Sequence, residues 1–483
     1  MASRPSTPDK PPAAGKRQPA RKPATTKATP AQQRERLLNG MAKAVARRGY
    51  TDATVAQAVA YAGVSRSTFY EHFADKQECF LATFSELAPV LGKELLQAVQ
   101  GVPWEQKPGV MLGVVLDPSK SEAAMHWRLL LTQARAGEPR IRAAREQFAE
   151  RLERAFEVLL EGPPQGIPTL DIPPKALLGG MRSVISTRRY THEGLEQGQL
   201  RDDLEAWAAS YAVPSGYARR SSAAWAELGR ELTRTTRGRA PNATADGSTS
   251  ASAEVAPSRP ASPLGLPRGR NRLPANVVAS EHHNRIVQAT ARVMREKGYT
   301  ASTIADIVAA AGTSRGVFYS HFQNKQEVFL AGQTMALEKG LTTASAAFFT
   351  GRGWPQQVWN GLGALFGYIA GLPDLAHLML IEPYAAGHAA LDRVIDTMRT
   401  LSLFLEEGYH RGPRAERLPR TCSDAIAGAI HELLYHAAQN DQVAELRELL
   451  PQAVYVALAP FLGPVKAREA VDEMAAEQAA ASV

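Results

Sequence analysis

Three stretches of the 483-residue chain combine residue types that could do chemistry. Gly312-Thr-Ser-Arg-Gly316 fits the G-x-S-x-G turn that exposes a nucleophilic serine, but such a turn must follow a strand. The residues before it, Ala309-Ala-Ala311, read as the end of a helix, and the related stretch Gly63 to Ser67 ends in Ser rather than Gly. A hydrolase is thereby set aside. His431-Glu-Leu-Leu-Tyr-His436 has the look of a zinc-protease motif, yet its histidines stand five apart where a shared helix face needs four. Five residues turn a helix by about 500°, leaving the imidazoles about 140° apart, so a structural or pocket role is expected of both. The third stretch occurs twice. Arg66 to Lys76 and Arg315 to Lys325 each gather Arg, Tyr, His and Lys within eleven residues. Neither contains a nucleophile, a base and an orienting group in workable spacing, so no enzyme is expected.

The recurrence has a fixed offset of 249. Without a gap, Arg34–Ala82 and His283–Ala331 are identical at 23 of 49 positions, including Gly-Tyr-Thr, Phe-Tyr, His-Phe and Lys-Gln-Glu. The chain is thus a tandem of two units with related heads and divergent bodies. Each head reads as four short helices. In the first, Leu37, Met41 and Val45 recur at the four-residue spacing of an apolar helix stripe that stops at Gly49. Thr54, Ser65 and Asp75 are candidate N-caps for the next three helices, with Gly63 in the turn. Head two repeats the plan with Thr303, Ser314, Asn324 and Gly312. Strand-like alternation is absent throughout, and the expected fold is all-α.

Two short helices joined by a glycine turn describe a helix-turn-helix. Ala-Gly-Val-Ser-Arg-Ser-Thr-Phe-Tyr-Glu-His-Phe-Ala-Asp-Lys-Gln-Glu (62–78), preceded by Gly-Tyr-Thr, resembles the DNA-binding domain of TetR/AcrR-family bacterial regulators, and Ala311–Glu327 does so again. The resemblance implies that the third helix of each head enters the major groove. Arg66, Ser67, Thr68 and Glu71, or Arg315, Gly316, Val317 and Ser320, would then meet base edges: Arg grips guanine, Glu accepts from cytosine, Thr or Val touches a thymine methyl. It further implies that Tyr70, His72 and Lys76, with Tyr319, His321 and Lys325, hold the phosphate backbone, helped by Thr54 and Thr303 at helix N-termini.

Composition frames this reading. At 44% hydrophobic and 22% charged residues the chain is typical of globular proteins, and its length suits several domains. The net charge of +8 is less telling than it looks, because residues 1–30 carry +6 and residues 237–274 carry +4, leaving −2 elsewhere. Those two basic segments are poor in large apolar residues and are expected not to fold. The expected organisation is a basic tail (1–30), a helix-turn-helix domain (31–84), a helical body (85–236), a linker (237–274), a second helix-turn-helix domain (275–331) and a second helical body (332–483). Two distant cysteines, Cys79 and Cys422, exclude a disulfide framework or a cysteine zinc site. With no apolar run long enough to span a bilayer and a polar N-terminal segment, a cytoplasmic protein is expected, without membrane contact, metal or cofactor.

The resemblance also implies that the bodies form an effector pocket and a dimer interface. Trp127 and Arg188 in the first body, and His377, Glu382, Tyr384 and His431 in the second, are the candidate pocket residues, the polar ones because a buried polar group is costly unless something satisfies it. The expected function is a ligand-responsive repressor whose two heads read the half-sites of an imperfect palindrome in double-stranded DNA, folded as an intramolecular pseudo-dimer. The alternatives are a head kept only for assembly, or a dimer of chains.

Overall fold

The computed structural model of the chain describes residues 28–103, 106–116, 126, 129, 139–161, 169–190, 197–214, 216–237 and 275–481. Most of the basic tail, the linker beyond 237, and Trp127 lie outside the described residues, as does the side chain of Arg188. Head one comprises α1 (Pro30–Asp52), α2 (Val55–Ala62), α3 (Arg66–His72) and α4 (Lys76–Ala98). Body one comprises α5 (Lys107–Leu116), α6 (Pro139–Glu161), α7 (Pro174–Tyr190), α8 (Gln197–Ala209) and α9 (Ser222–Arg237). Head two follows with α10 (Ala275–Ala301), α11 (Ile304–Ala311), α12 (Arg315–His321) and α13 (Lys325–Phe348). Body two holds α14 (Trp354–Ala370), α15 (Pro373–Leu380), α16 (Pro383–Ala386), α17 (His388–Leu403), α18 (Pro413–Glu416), α19 (Thr421–Gln439), α20 (Leu450–Leu462) and α21 (Pro464–Ala481). Among the described residues the fold is all-α but for one antiparallel pair, β1 (Thr169–Leu170) with β2 (Ala212–Val213). No single helix among the described residues is long and apolar enough to cross a membrane.

The caps fall where the sequence offers them. Thr54 accepts from the Gln57 N–H, Ser65 from Thr68 and Asp75 from Glu78; Thr303, Ser314 and Asn324 do the same in head two. Each cap contributes about 0.5–2 kcal/mol. Gly63 and Gly312 close the turns at φ +63° and +59°, a left-handed conformation that side chains resist. The spacing predicts that the first helix stops at Gly49. Instead the chain kinks there, at φ +80°, and regains helical geometry to Asp52; Gly298 kinks α10 alike at +78°. Phe69, Phe80, Leu37 and Met41 fill the core of head one, and Phe318, Phe329, Ile286 and Met294 that of head two.

The two bodies meet along α7 and α19, with α8 and α9 of body one against α19, α20 and α21 of body two. Small residues permit the approach. A Cβ on Gly180 would stand 2.3 Å from the Trp207 ring and 2.6 Å from the Ala425 carbonyl oxygen, and one on Gly428 would stand 2.2 Å from Ser183 Cβ. Beside this seam lies a buried ionic cluster. Arg182 and Arg145 of body one both grip Glu432 of body two, Arg145 at 3.2 Å. Glu146 reaches His436 across the seam at 2.5 Å. Burial works against the Glu146 charge, but the His436 hydrogen bond, His436 and Arg145 outweigh it and hold the carboxyl below its ordinary range. Farther along, the Tyr211 hydroxyl donates to the Val456 carbonyl (2.7 Å), the Tyr455 hydroxyl to the Asp171 carbonyl (2.6 Å), and Thr421 to Asp203 (2.6 Å).

Because Gly428 has no room for a side chain, Gly428→Val should destabilise the chain by about 1–3 kcal/mol through overpacking. Equilibrium urea unfolding followed by circular dichroism measures this, and an unchanged midpoint would show that the two faces do not meet as described.

Candidate nucleic-acid interface

The third helix of each head turns one face inward and the other to solvent. Phe69 and Phe318 are buried, while Arg66, Ser67, Tyr70 and Glu71, and Arg315, Gly316, Tyr319 and Ser320, are exposed; Thr68 and Val317 are half-buried. Tyr70 and Tyr319 keep 59% and 56% of their surface exposed, unusual for rings that could pack, and each stands edge-on to its neighbouring Phe at 5.3 and 5.4 Å. A helix face so arranged has donors, acceptors and rings free to meet a groove and its flanking phosphates. The faces differ. Ser65, Ser67 and Thr68 of head one form a hydroxyl cluster, with oxygens 2.7 and 2.9 Å apart. Gly316 and Val317 give head two no counterpart at the last two positions, and Ser320 turns its hydroxyl onto the Val317 carbonyl.

Lys76 and Lys325, expected at phosphates, are held within their heads. Lys76 Nζ donates to the Tyr50 and Thr51 carbonyls at 2.9 and 3.3 Å and lies 4.4 Å over the Tyr50 ring. Lys325 donates to Tyr299, Ser302 and Thr300 carbonyls at 2.6, 2.9 and 3.5 Å, again 4.4 Å over its tyrosine. These carbonyls stand in the last turn of the first helix or just past its end, at Asp52 or Ala301, where no helical partner follows, and the ammonium group serves them. Burial holds Lys325 below the ordinary lysine range. Each lysine thus ties the first helix of its head to the fourth.

Thr54 and Thr303 are also drawn into the heads. Both stand in capping boxes, but the partner is Gln57 in head one and Asp306 in head two. Thr303 gives its hydroxyl proton to Asp306 (2.7 Å), which also binds Lys297 at 2.6 Å. Hydrogen bonds from Lys297 and then Thr303 push Asp306 down to about 2, so it stays charged at any working pH. His72 lies against Phe73, whereas His321 faces two further rings, His282 at 6.4 Å and His283 at 6.1 Å between centroids. Arg285 sits 2.7 Å from His282 Nδ1, which must therefore accept. Burial first, then the neighbouring Arg285 and His321, lower His282; burial and His321 lower His283.

The pocket candidates separate. Body two encloses a cavity of about 100 Å³ walled by α13, α14, α15, α17 and α19, and His431 lines it. The other three candidates there do not. His377 Nε2 meets the Ala438 carbonyl (3.1 Å), Tyr384 stands edge-on to Tyr435 (5.7 Å), and Glu382 accepts from the Tyr299 N–H of head two (2.6 Å). Their polarity serves backbone and rings at the edges of helices, where sequence spacing alone cannot say which side they face. The cavity is opened by a signal that went unread: Ala336, Gly340 and Ala344, four residues apart on α13, put small side chains where large ones would fill the space. His431 and His436 point to different places, the cavity and Glu146, as their spacing requires.

A family model described as bacterial regulatory proteins, tetR family, matches residues 37–83 and 286–331. The HTH-type transcriptional regulator CymR of Pseudomonas putida is 45% identical over 53 residues, which are 11% of this chain and 26% of that protein. The uncharacterized HTH-type transcriptional regulator YerO of Bacillus subtilis is 36% identical over 52 residues, 11% of this chain and 18% of that protein. The chain therefore spans about a quarter or less of these curated relatives. Among solved structures, the fatty acid degradation regulator FadR from Bacillus halodurans shares 19% identity over 37% of this chain and 94% of that chain, with a TM-score of 0.34.

Two outcomes follow from the geometry. Lys325→Met should lower the melting temperature of head two, at about 1.5–3 kcal/mol per charged hydrogen bond lost; an unchanged melt combined with a DNA-binding salt slope reduced by one would return the lysine to a phosphate. Because the pKa values of His282 and His283 are lowered in the folded state, unfolded head two binds more protons below about pH 6.5. Head two should then lose stability as pH falls through that range, whereas head one, with Gln33 and Arg34 at the matched positions, should not. Residue-resolved hydrogen exchange at pH 7.5 and 5.5 compares them, and equal loss in both heads would contradict it.

Proposed function

Since both heads belong to the TetR family of bacterial regulatory proteins, we propose that the chain is a ligand-responsive transcriptional repressor working as a single-chain pseudo-dimer. The domain limits given from the sequence are part of this proposal. The observation that carries it is the seam between α7 and α19: a buried, ion-paired contact joins two bodies within one chain, as two subunits of a dimeric regulator would join. Each body then carries one head, and the exposed faces of α3 and α12 are the surfaces offered to double-stranded DNA. Arg66, Ser67, Thr68 and Glu71 would read one half-site, and Arg315, Gly316, Val317 and Ser320 the other. Tyr70, Tyr319, His72 and His321 would hold phosphates, while Thr54, Thr303, Lys76 and Lys325 set the angle of the heads. The cavity in body two is the effector site. A head kept only for assembly is disfavoured because both recognition faces are exposed and both are capped in the same way.

Two measurements bear on this. Light scattering at micromolar concentration should give the 52.2 kDa of one chain; a concentration-independent mass of twice that would favour a dimer of chains. Selection of bound fragments from random duplex DNA should return an imperfect palindrome that is least symmetric where Glu71 and Ser320 read. Glu71→Ser should bring the half-sites closer together, each base preference being worth about 1–3 kcal/mol, and a symmetric site from the unaltered chain would sink the assignment.

A further inference from the structure

Resting on that ligand-responsive reading, we propose that the cavity of body two takes an uncharged apolar molecule the size of one ring or a short alkyl chain, and that its occupancy reaches head two through Glu382. The wall is made of such residues as Leu337, Phe348, Leu365, Met398 and Phe404, and among the described residues no Asp, Glu, Lys or Arg lines it. A carboxylate or ammonium ligand would lose its hydration there among walls whose polar side chains are only Tyr368, Thr397 and His431, which is unfavourable. The free volume of about 100 Å³ is of the order that suits a single ring, an apolar cavity of about 150 Å³ being enough for benzene.

The route to the head lies in one helix. Met379 and Leu380 of α15 line the cavity. Leu378, between them and the start of the helix, is fully buried in the core of head two with Ile286 and Phe329. Asp374 near the start of α15 binds Arg295 of α10 at 3.1 Å. Two residues after Leu380, Glu382 is 1% exposed and accepts from the Tyr299 N–H at 2.6 Å, at the kink beside Gly298. Lys325 holds the carbonyl of the same Tyr299 at 2.6 Å, and Lys325 begins the helix that follows α12. A close-packed interior passes displacement on rather than absorbing it. A molecule pressing on Met379 and Leu380 therefore moves Glu382, and with it the corner that sets the angle of α12. Glu382 is a positioning residue here; it touches neither DNA nor ligand.

The full chain is titrated with toluene and, separately, with benzoate, a charged molecule of like size. Calorimetry reads binding without DNA, so the ligand class is decided even if the DNA-binding reading fails. Toluene should bind and benzoate should not, and Ala344→Leu, which fills the cavity, should abolish the toluene heat. Binding of benzoate in preference to toluene, or toluene binding unaffected by Ala344→Leu, would overturn the ligand class. Toluene should then weaken binding to the selected DNA site by about 5- to 150-fold, the usual range of coupling. Glu382→Ala should keep the toluene heat and lose this ratio, while Glu382→Gln, whose amide oxygen still accepts from Tyr299, should restore it. An undiminished ratio in Glu382→Ala would overturn the route.

Discussion

The close approach of α7 and α19 is the constraint on which the rest of the molecule depends. Gly180 and Gly428 allow the helices to touch backbone to side chain with no intervening Cβ, and Arg145, Arg182 and Glu432 are buried only because that approach seals them from water. Burying such a triad is not by itself a strong source of stability, since desolvation opposes the Coulomb gain. Its effect is on arrangement: each charge finds its partner only when one body meets the other in a single register. The separation of the two heads follows from that register, because each head is continuous with its body through α4 or α13.

Much of this was legible in the sequence, for identifiable reasons. The caps at Thr54, Ser65, Ser314 and Asn324 and the turns at Gly63 and Gly312 depend on local chemistry within four residues, which sequence displays directly. The repeat did more, since 23 identities in 49 positions made each half evidence for the other. What could not be read depends on contacts between distant residues. Lys76 and Lys325 read as phosphate contacts because the carbonyls they serve, at the end of the first helix, lie 23 to 26 positions away. Glu382 looked like a pocket residue because a buried carboxylate needs a partner, and that partner, a backbone N–H in another domain, leaves no mark on the sequence. The cavity is bounded by what is missing from Ala336, Gly340 and Ala344, and small residues on a helix equally suit tight packing.

The heads share a frame but not a surface. Capping, core phenylalanines and the lysine tie agree between them, and the cores exchange one small or apolar residue for another, as at Met41 and Thr290 or Cys79 and Val328, while the outer faces change in charge and hydrogen bonding: Glu71 against Ser320, Ser67-Thr68 against Gly316-Val317, Gln57 against Asp306. Residues that hold a head together are constrained by packing on every side. Residues on an exposed face are constrained only by what that face meets, so there the two copies differ in chemical character and not merely in the shape of an apolar side chain.

The exchange of Gln57 for Asp306 carries a consequence for polarity. A regulator made of two identical subunits sits on a palindrome in either of two equivalent ways and cannot tell upstream from downstream. Here one head has, at the N-terminus of its second helix, a carboxylate tied to Lys297, the other has a neutral amide, and the exposed faces of α3 and α12 differ as well. On the proposed reading, such a chain would have one preferred orientation on an imperfect palindrome, with the body that holds the cavity over the same half-site each time. The molecule would thereby be a directional mark on DNA, the cavity side turned toward one neighbour and the other side toward the opposite one.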